Sequence, residues 1–199
     1  MQKSKNGKTN DRRNIIKTAI IAFVLISLLV GFYYYVSNKA DREREREKGE
    51  VTKTQQILHY NLDQKYPPSP KEVVRFYSEI TQCFYNENNS EEEIHALAVQ
   101  IQKLYDEELI ANQTEDEYVR NLKSDISSMK EKEIVISSYS TSASTDVEYY
   151  SEDGHEWASL YCVYSMRKGT TLLNTSEKFL LRKDKDGHWK IYGWTLADG

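Results

Sequence analysis

Glu177–Leu196 reads EKFLLRKDKDGHWKIYGWTL, and its two halves describe a β-hairpin. Apolar and aromatic residues fill Glu177–Lys183 and His188–Leu196. Between them, Asp184-Lys185-Asp186-Gly187 supplies an Asp-Gly step, a strong local signal for chain reversal between strands. Upstream, Trp157–Arg167 alternates with a period of two residues. Ala158, Leu160, Cys162, Tyr164 and Met166 share one face, and Trp157, Tyr161 and Val163 lie opposite. Apolar and aromatic residues on both sides predict a central strand partly covered on each face. Glu133–Tyr139, built around Ile134-Val135-Ile136, reads as a further strand. The Ser/Thr-rich piece Ser137–Thr145 reads as either loop or exposed strand.

Ahead of the strands, the period changes to that of helices. Ser69-Pro70-Lys71-Glu72, Ser90-Glu91-Glu92-Glu93 and Thr114-Glu115-Asp116-Glu117 each fit a capping box. In that device a hydroxyl and a carboxylate three positions on satisfy the free amides of a helix start. Pro70 suits the first helical position. Apolar stripes follow at helical spacing: Val73, Tyr77, Ile80 and Phe84; then Ile94, Leu97, Ala98, Ile101, Leu104 and Tyr105; then Val119, Leu122, Ile126 and Met129. Helices first and an antiparallel meander after them predict an α+β domain. Pro67-Pro68 is expected to open it, giving a domain over 67–199.

The N-terminal part has a different character. Thr18–Val36 is uncharged and apolar, and at about 1.5 Å per residue it would span roughly 28 Å, close to the hydrocarbon core of a bilayer. Tyr33-Tyr34-Tyr35 at its end suits the headgroup level. The run is longer than a cleaved signal core, and Lys39 precedes the sole small residue that could mark a cleavage site. A transmembrane helix at 18–36, acting as an uncleaved anchor, is therefore expected. Basic residues do not by themselves orient it: Lys3, Lys5, Lys8, Arg12, Arg13 and Lys17 precede it, and Lys39, Arg42, Arg44, Arg46, Lys48 and Lys53 follow it. The tail 1–17 has Asp11 as its one acid, whereas the remainder of the chain is acidic. Moving that cationic tail outward against an inside-negative potential is costly, so the tail is placed in the cytoplasm and the large domain outside. Residues 37–66 then read as a stalk. Asp41–Glu50 alternates in charge and has no apolar heptad seam, so it reads as a solvated helix rather than a coiled coil.

The three helices and the closing run Phe179–Trp194, with Asp186-Gly187 leading into Trp189-Lys190-Ile191-Tyr192-Gly193-Trp194, resemble the nuclear transport factor 2-like fold. The resemblance covers about Pro67 to Ala197. It implies a cone of helices against a curved antiparallel sheet, enclosing a pocket. With the N-terminal span added, the chain resembles membrane-anchored scaffold subunits of type IV secretion and conjugation machines. It is also similar to the domain preceding the transpeptidase in some penicillin-binding proteins. Enzymes of the superfamily, such as ketosteroid isomerase, use a pocket Asp or His with a Tyr donor. No such pair is assignable here among fifteen tyrosines and many carboxylates.

The chemistry-bearing residues point the same way. His155 and His188 each follow an Asp-Gly step, where a tight turn accounts for them without a metal. His59 and His95 have no ligand-spaced partner. Cys83 and Cys162 both fall at apolar positions, as a disulfide between the first helix and the sheet or as buried thiols. Asn88, Asn112 and Asn174 begin glycosylation sequons, which matter only in a eukaryotic secretory setting. The acidic domain lacks a basic stripe, so no nucleic-acid partner is expected, and no cofactor or metal. Trp157, Tyr161, Trp189 and Trp194 form the candidate pocket or partner surface, against their use as core. The expectation is a single-pass, envelope-facing protein that binds or scaffolds other membrane proteins rather than catalysing. A homodimer through the sheet is a further expectation. The alternative is a small-molecule carrier or a pocket enzyme of the ketosteroid isomerase type.

Overall fold

The computed structural model describes residues 51–197, so the basic tail 1–17, the apolar run Thr18–Val36 and the charged stretch Asp41–Glu50 lie outside the described residues. Among the described residues, no helix is long and apolar enough to cross a membrane. The chain runs through helices α1 (Lys53–Leu58), α2 (Pro70–Asn86), α3 (Glu91–Gln102), α4 (Glu107–Ala111) and α5 (Glu115–Glu131). It then forms strands β1 (Ile134–Thr141), β2 (Glu148–Glu152), β3 (His155–Lys168), β4 (Thr171–Lys183) and β5 (Trp189–Leu196). The architecture is α+β, five helices and a curved antiparallel sheet.

β3 is the axis of the sheet. β4 pairs with it from Trp157↔Arg182 to Lys168↔Thr171, and β5 adds outside β4. The other side of β3 is shared end to end by β2, opposite His155–Ser159, and β1, opposite Cys162–Lys168. Two of the reversals use left-handed backbone where the sequence suggested it. Asp153 and Gly154 both have positive φ, 50° and 78°, the mirror-image geometry that matches strand twist in a two-residue hairpin. Asp184 instead closes a longer loop, its carboxylate accepting from the amides of Asp186 and His188 at 2.9 and 2.8 Å.

The helix starts form as the capping logic requires, with one difference. Ser69, Ser90 and Thr114 accept from the amides of Glu72, Glu93 and Glu117 at 3.3, 3.2 and 3.3 Å. Glu93 and Glu117 return to the cap amides at 2.7 and 3.0 Å. Glu72 does not; it pairs with Arg75 at 2.7 Å, a partner one helical turn further on. A box that the sequence reading passed over, Thr52 with Gln55, starts α1.

α2 covers the sheet. Its Val73, Val74, Tyr77, Ile80, Cys83 and Phe84 are buried with Leu160, Cys162, Tyr164, Phe179 and Leu181. Each such side chain contributes about 1.5–3 kcal/mol by leaving water. Polar groups in this interface are paired. Ser78 donates to the Val74 carbonyl at 2.8 Å and lies 2.8 Å from the Tyr164 hydroxyl. Where the register of β1 shifts after Ile136, the Asn86 side chain takes both outward-facing backbone groups of Ile136, at 2.8 and 2.9 Å. The amide thus stands in for a missing neighbouring strand. Cys83 and Cys162 are buried free thiols, not a disulfide, and burial pushes both thiols up.

The outer edge of β5 is closed by the chain itself. Ile191 donates to the Leu104 carbonyl and accepts from the Asp106 amide, both at 2.8 Å. Asp106 then caps α4 and meets Arg182 of β4 through two bonds, 2.6 and 3.0 Å, with the side chains 12% and 5% exposed for Arg182 and Asp106. The remaining Arg182 amine reaches Glu108 at 2.7 Å.

The structure revises two expectations. The compact unit begins at Thr52, not at Pro67. Residues 52–66, expected within a solvated stalk, bury Ile57 and Leu62, and Thr54 bonds Asn89 at 2.7 Å. Tyr66 donates to the Trp189 carbonyl at 3.0 Å, stacks on His188 at 4.3 Å and receives the Lys190 ammonium at 4.4 Å. The charge alternation that suggested a stalk stops at Glu50, and Ile57 and Leu62 are too few to show a period. The second revision concerns β3. It is central, but on its outer face Tyr161 is 43% and Val163 38% exposed.

A piece starting at Pro67 should therefore be less stable than one starting at Thr52, by about 3–6 kcal/mol for two lost apolar anchors. Denaturant unfolding of the two pieces measures this; equal midpoints would restore the boundary at the prolines.

Candidate functional site

The stripe that α2 turns toward the sheet changes composition along its length. Near the start it is aliphatic; from Tyr77 it continues as Thr81, Phe84 and Tyr85, at helical spacing. α5 presents Tyr118, Asn121, Leu122 and Asp125 at the same spacing. These two faces, with Ile101, Tyr105, Gln113 and Trp194, line a half-open cavity of about 220 Å³. For scale, a cavity of about 150 Å³ holds benzene.

Aromatic rings supply half of the lining residues. Trp194 sits opposite Phe179 in the β4–β5 ladder, so it faces the helices. Its ring lies 5.5 Å from Tyr77, 6.1 Å from Tyr105 and 5.9 Å from Phe179, centre to centre. Tyr105 meets Tyr118 edge to face at 6.2 Å, and their hydroxyls are 3.3 Å apart. Burial pushes the phenols of Tyr77 and Tyr105 far up, and that of Tyr85 to about 12, with Asp125, Tyr118 and Glu177 adding to the effect at Tyr85. All remain protonated at neutral pH and can donate.

Glu177 is the unusual residue beside this wall. On β4 it lies two positions from Phe179, hence on the same helix-facing side, opposite Cys162 and Leu196 in the ladder. It is half-buried, and among the described residues its carboxylate makes no hydrogen bond or ion pair. Burial alone raises its pKa above the ordinary carboxylate range. Its charge in turn raises the phenols of Tyr77, Tyr85 and Tyr164. Glu177 and Asp125 thus bring two carboxylates to one aromatic wall, and the cavity lining contains no Lys, Arg or His.

Of the four residues expected to form a site, the structure brings only Trp194 to the cavity. Trp157 lies on the outer face, stacked on Tyr150 at 6.4 Å and 5.0 Å from Tyr192, with the Arg182 guanidinium 5.7 Å from its ring. Tyr161 is also on the outer face, under the Lys178 ammonium at 5.5 Å. Trp189 is buried at the hairpin, edge-on to Tyr149 at 5.7 Å. The residues that sequence reasoning missed are Tyr85, Tyr118, Asp125 and Glu177, while Tyr77 and Tyr105 had been read as core stripe. One signal was present: Glu177 is a charge at an inward position of the alternating run Glu177, Phe179, Leu181.

The histidines are dispersed. His95 meets Glu115 at 3.1 Å, His59 the Gln55 carbonyl at 2.6 Å, and His188 the Tyr66 ring. Among the described residues, no three His, Cys, Asp or Glu side chains converge as a metal site would need. The cavity presents aromatic rings, phenol hydroxyls and the Asp125 carboxylate to its interior.

A raised carboxylate pKa means that the folded chain holds the Glu177 proton more tightly than the unfolded chain does. Its stabilising effect is complete below the unfolded value, about 4.3, and is lost as pH rises through the folded value. Glu177→Gln should therefore raise the melting temperature at pH ~7 and leave it nearly unchanged at pH ~4. Thermal melts of both proteins across that range check the sign; a variant less stable at neutral pH would show that the carboxylate is paired.

No curated protein matches the sequence. The family model for a domain of unknown function, DUF6715, matches residues 1–194, taking in the N-terminal apolar run as well as the folded domain. The chain belongs to that family.

Proposed function

We propose that this chain is a single-pass membrane-anchored protein whose C-terminal domain, held outside the cytoplasm, is a binding module with a small-molecule pocket. The observation that carries the reading is the cavity of about 220 Å³, walled by Tyr77, Tyr85, Tyr105, Tyr118 and Trp194 and edged by polar side chains. A concave aromatic site with a few placed polar groups is the usual form of a ligand pocket. The anchor is supported by the length and apolarity of Thr18–Val36 and by a family match that runs through it and the domain alike. Helices laid against a curved antiparallel sheet, with the cavity between them, support the reading as a nuclear transport factor 2-like cone. Binding, rather than scaffolding alone, is what this geometry adds to the sequence-based expectation.

A pocket enzyme is the second reading, favoured by one observation. Glu177 is a half-buried carboxylate with a raised pKa that acts electrostatically on the phenols of Tyr77 and Tyr85. That is the kind of pairing a proton-transfer site needs. The two readings part at Glu177→Gln, which removes turnover in an enzyme and leaves a carrier's pocket able to take an uncharged apolar ligand.

Trp194 offers a local reporter once Trp157 and Trp189 are replaced by Phe. Titration of an apolar fluorophore into the full chain, in a non-ionic detergent, should give saturable energy transfer from Trp194. Asn121→Trp, placed at the exposed lip of α5, should weaken that binding about tenfold, or ~1.4 kcal/mol, by filling the cavity. Unsaturable transfer that Asn121→Trp leaves unchanged would remove the pocket reading.

A further inference from the structure

We infer that the pocket takes an organic cation, an ammonium group carrying methyl or other small alkyl substituents, and this rests on the pocket reading above. Three independent features of the wall point to that chemistry. The first is the density of π-faces. Tyr77, Tyr85, Tyr105, Tyr118 and Trp194 line one cavity, and a ring face attracts a cation through its quadrupole, most strongly when both are shielded from water.

The second is charge. Asp125 lines the cavity and Glu177 stands beside it on the sheet, while the lining has no Lys, Arg or His to answer them. An anionic ligand would meet the Asp125 carboxylate, with Glu177 close by, and no cation. A cation would meet favourable charge from both.

The third is a contrast within the domain. Among the described residues, a Lys or Arg of the chain sits over the rings of Tyr66, Trp157, Tyr161, Trp189 and Tyr192. Among the described residues, none of the five pocket rings has such a cation, and they line a space of about 220 Å³, enough for a compact head group and little more.

The shared chemistry of a free alkylammonium solute and of a choline lipid head group fits equally. The test is calorimetric titration of the full chain in a non-ionic detergent with choline, with its uncharged isostere in which a tert-butyl group replaces the trimethylammonium, and with a carboxylate of the same bulk. Choline should bind about tenfold more tightly than the isostere. Asp125→Asn and Glu177→Gln should each reduce that preference severalfold while the isostere's affinity stays the same. A further titration with a short-chain phosphatidylcholine separates the two sources, since tighter binding than choline marks a head group and weaker binding a free solute. Either result supports the cation. Equal affinity for choline and isostere, or preference for the carboxylate, overturns the inference and leaves the pocket standing. If none of the probes binds while the apolar fluorophore still does, the cation inference again falls alone; loss of the fluorophore as well would remove the pocket reading itself.

Discussion

One contact organises the domain: the face of β3 and β4 that carries Ala158, Leu160, Cys162, Phe179 and Leu181, pressed against the buried stripe of α2. A sheet with one apolar face cannot remain open on that side, and a single long helix is the cheapest cover. The sheet's strict two-residue period then decides which side chains look toward the helices. Phe179 and Leu181 must, and Glu177 must with them. A charged residue is carried inward by the register of its apolar neighbours. The pocket forms along α2 beyond Val73 and Val74, where Tyr77, Thr81, Phe84 and Tyr85 succeed one another.

The rest of the structure holds that contact in place. α1 and the segment to Tyr66 close over α2 and the hairpin, burying Ile57 and Leu62. The Arg182–Asp106 pair fastens α4 to the outer face of the sheet. With Arg182 removed, Asp106 would remain as a buried charge without its ion-pair partner, which typically costs about 3–5 kcal/mol. Tyr105 lies between the two systems. Its neighbours Leu104 and Asp106 complete the edge of β5, and its ring forms part of the cavity wall. The edge closure that protects β5 therefore also positions an aromatic of the pocket.

Much of the fold was legible because its signals are local. The hydroxyl–glutamate caps, the two Asp-Gly turns and the alternation of Trp157–Arg167 each follow from neighbouring residues. What was not legible depends on distant ones. β2, Glu148–Glu152, is exposed throughout and carries no alternation; it is a strand because Asp153-Gly154 folds it back on β3. α4 has no fully buried residue, only Leu109 packed at the edge of the core, and is set by its Asp106 cap and the Arg182 bond. The site was the least legible part. The tryptophans drew attention by their size, yet Trp157, Trp189 and Trp194 serve in three different places. Tyr77 and Tyr105 sit at helical core spacing, and nothing local separates a tyrosine that fills a core from one that lines a cavity. Only the sheet register, which brings Glu177 to the same side as Phe179, marks the difference.

The central claim is that an unpaired Glu177 carboxylate faces the aromatic wall. Its side-chain carboxyl chemical shift, followed by NMR against pH, reads this directly. The account predicts a midpoint above the ordinary glutamate value of about 4.3, with the Tyr85 and Tyr77 ring signals shifting at that same midpoint. An ordinary midpoint, with those rings silent through it, would place Glu177 in solvent and contradict the account.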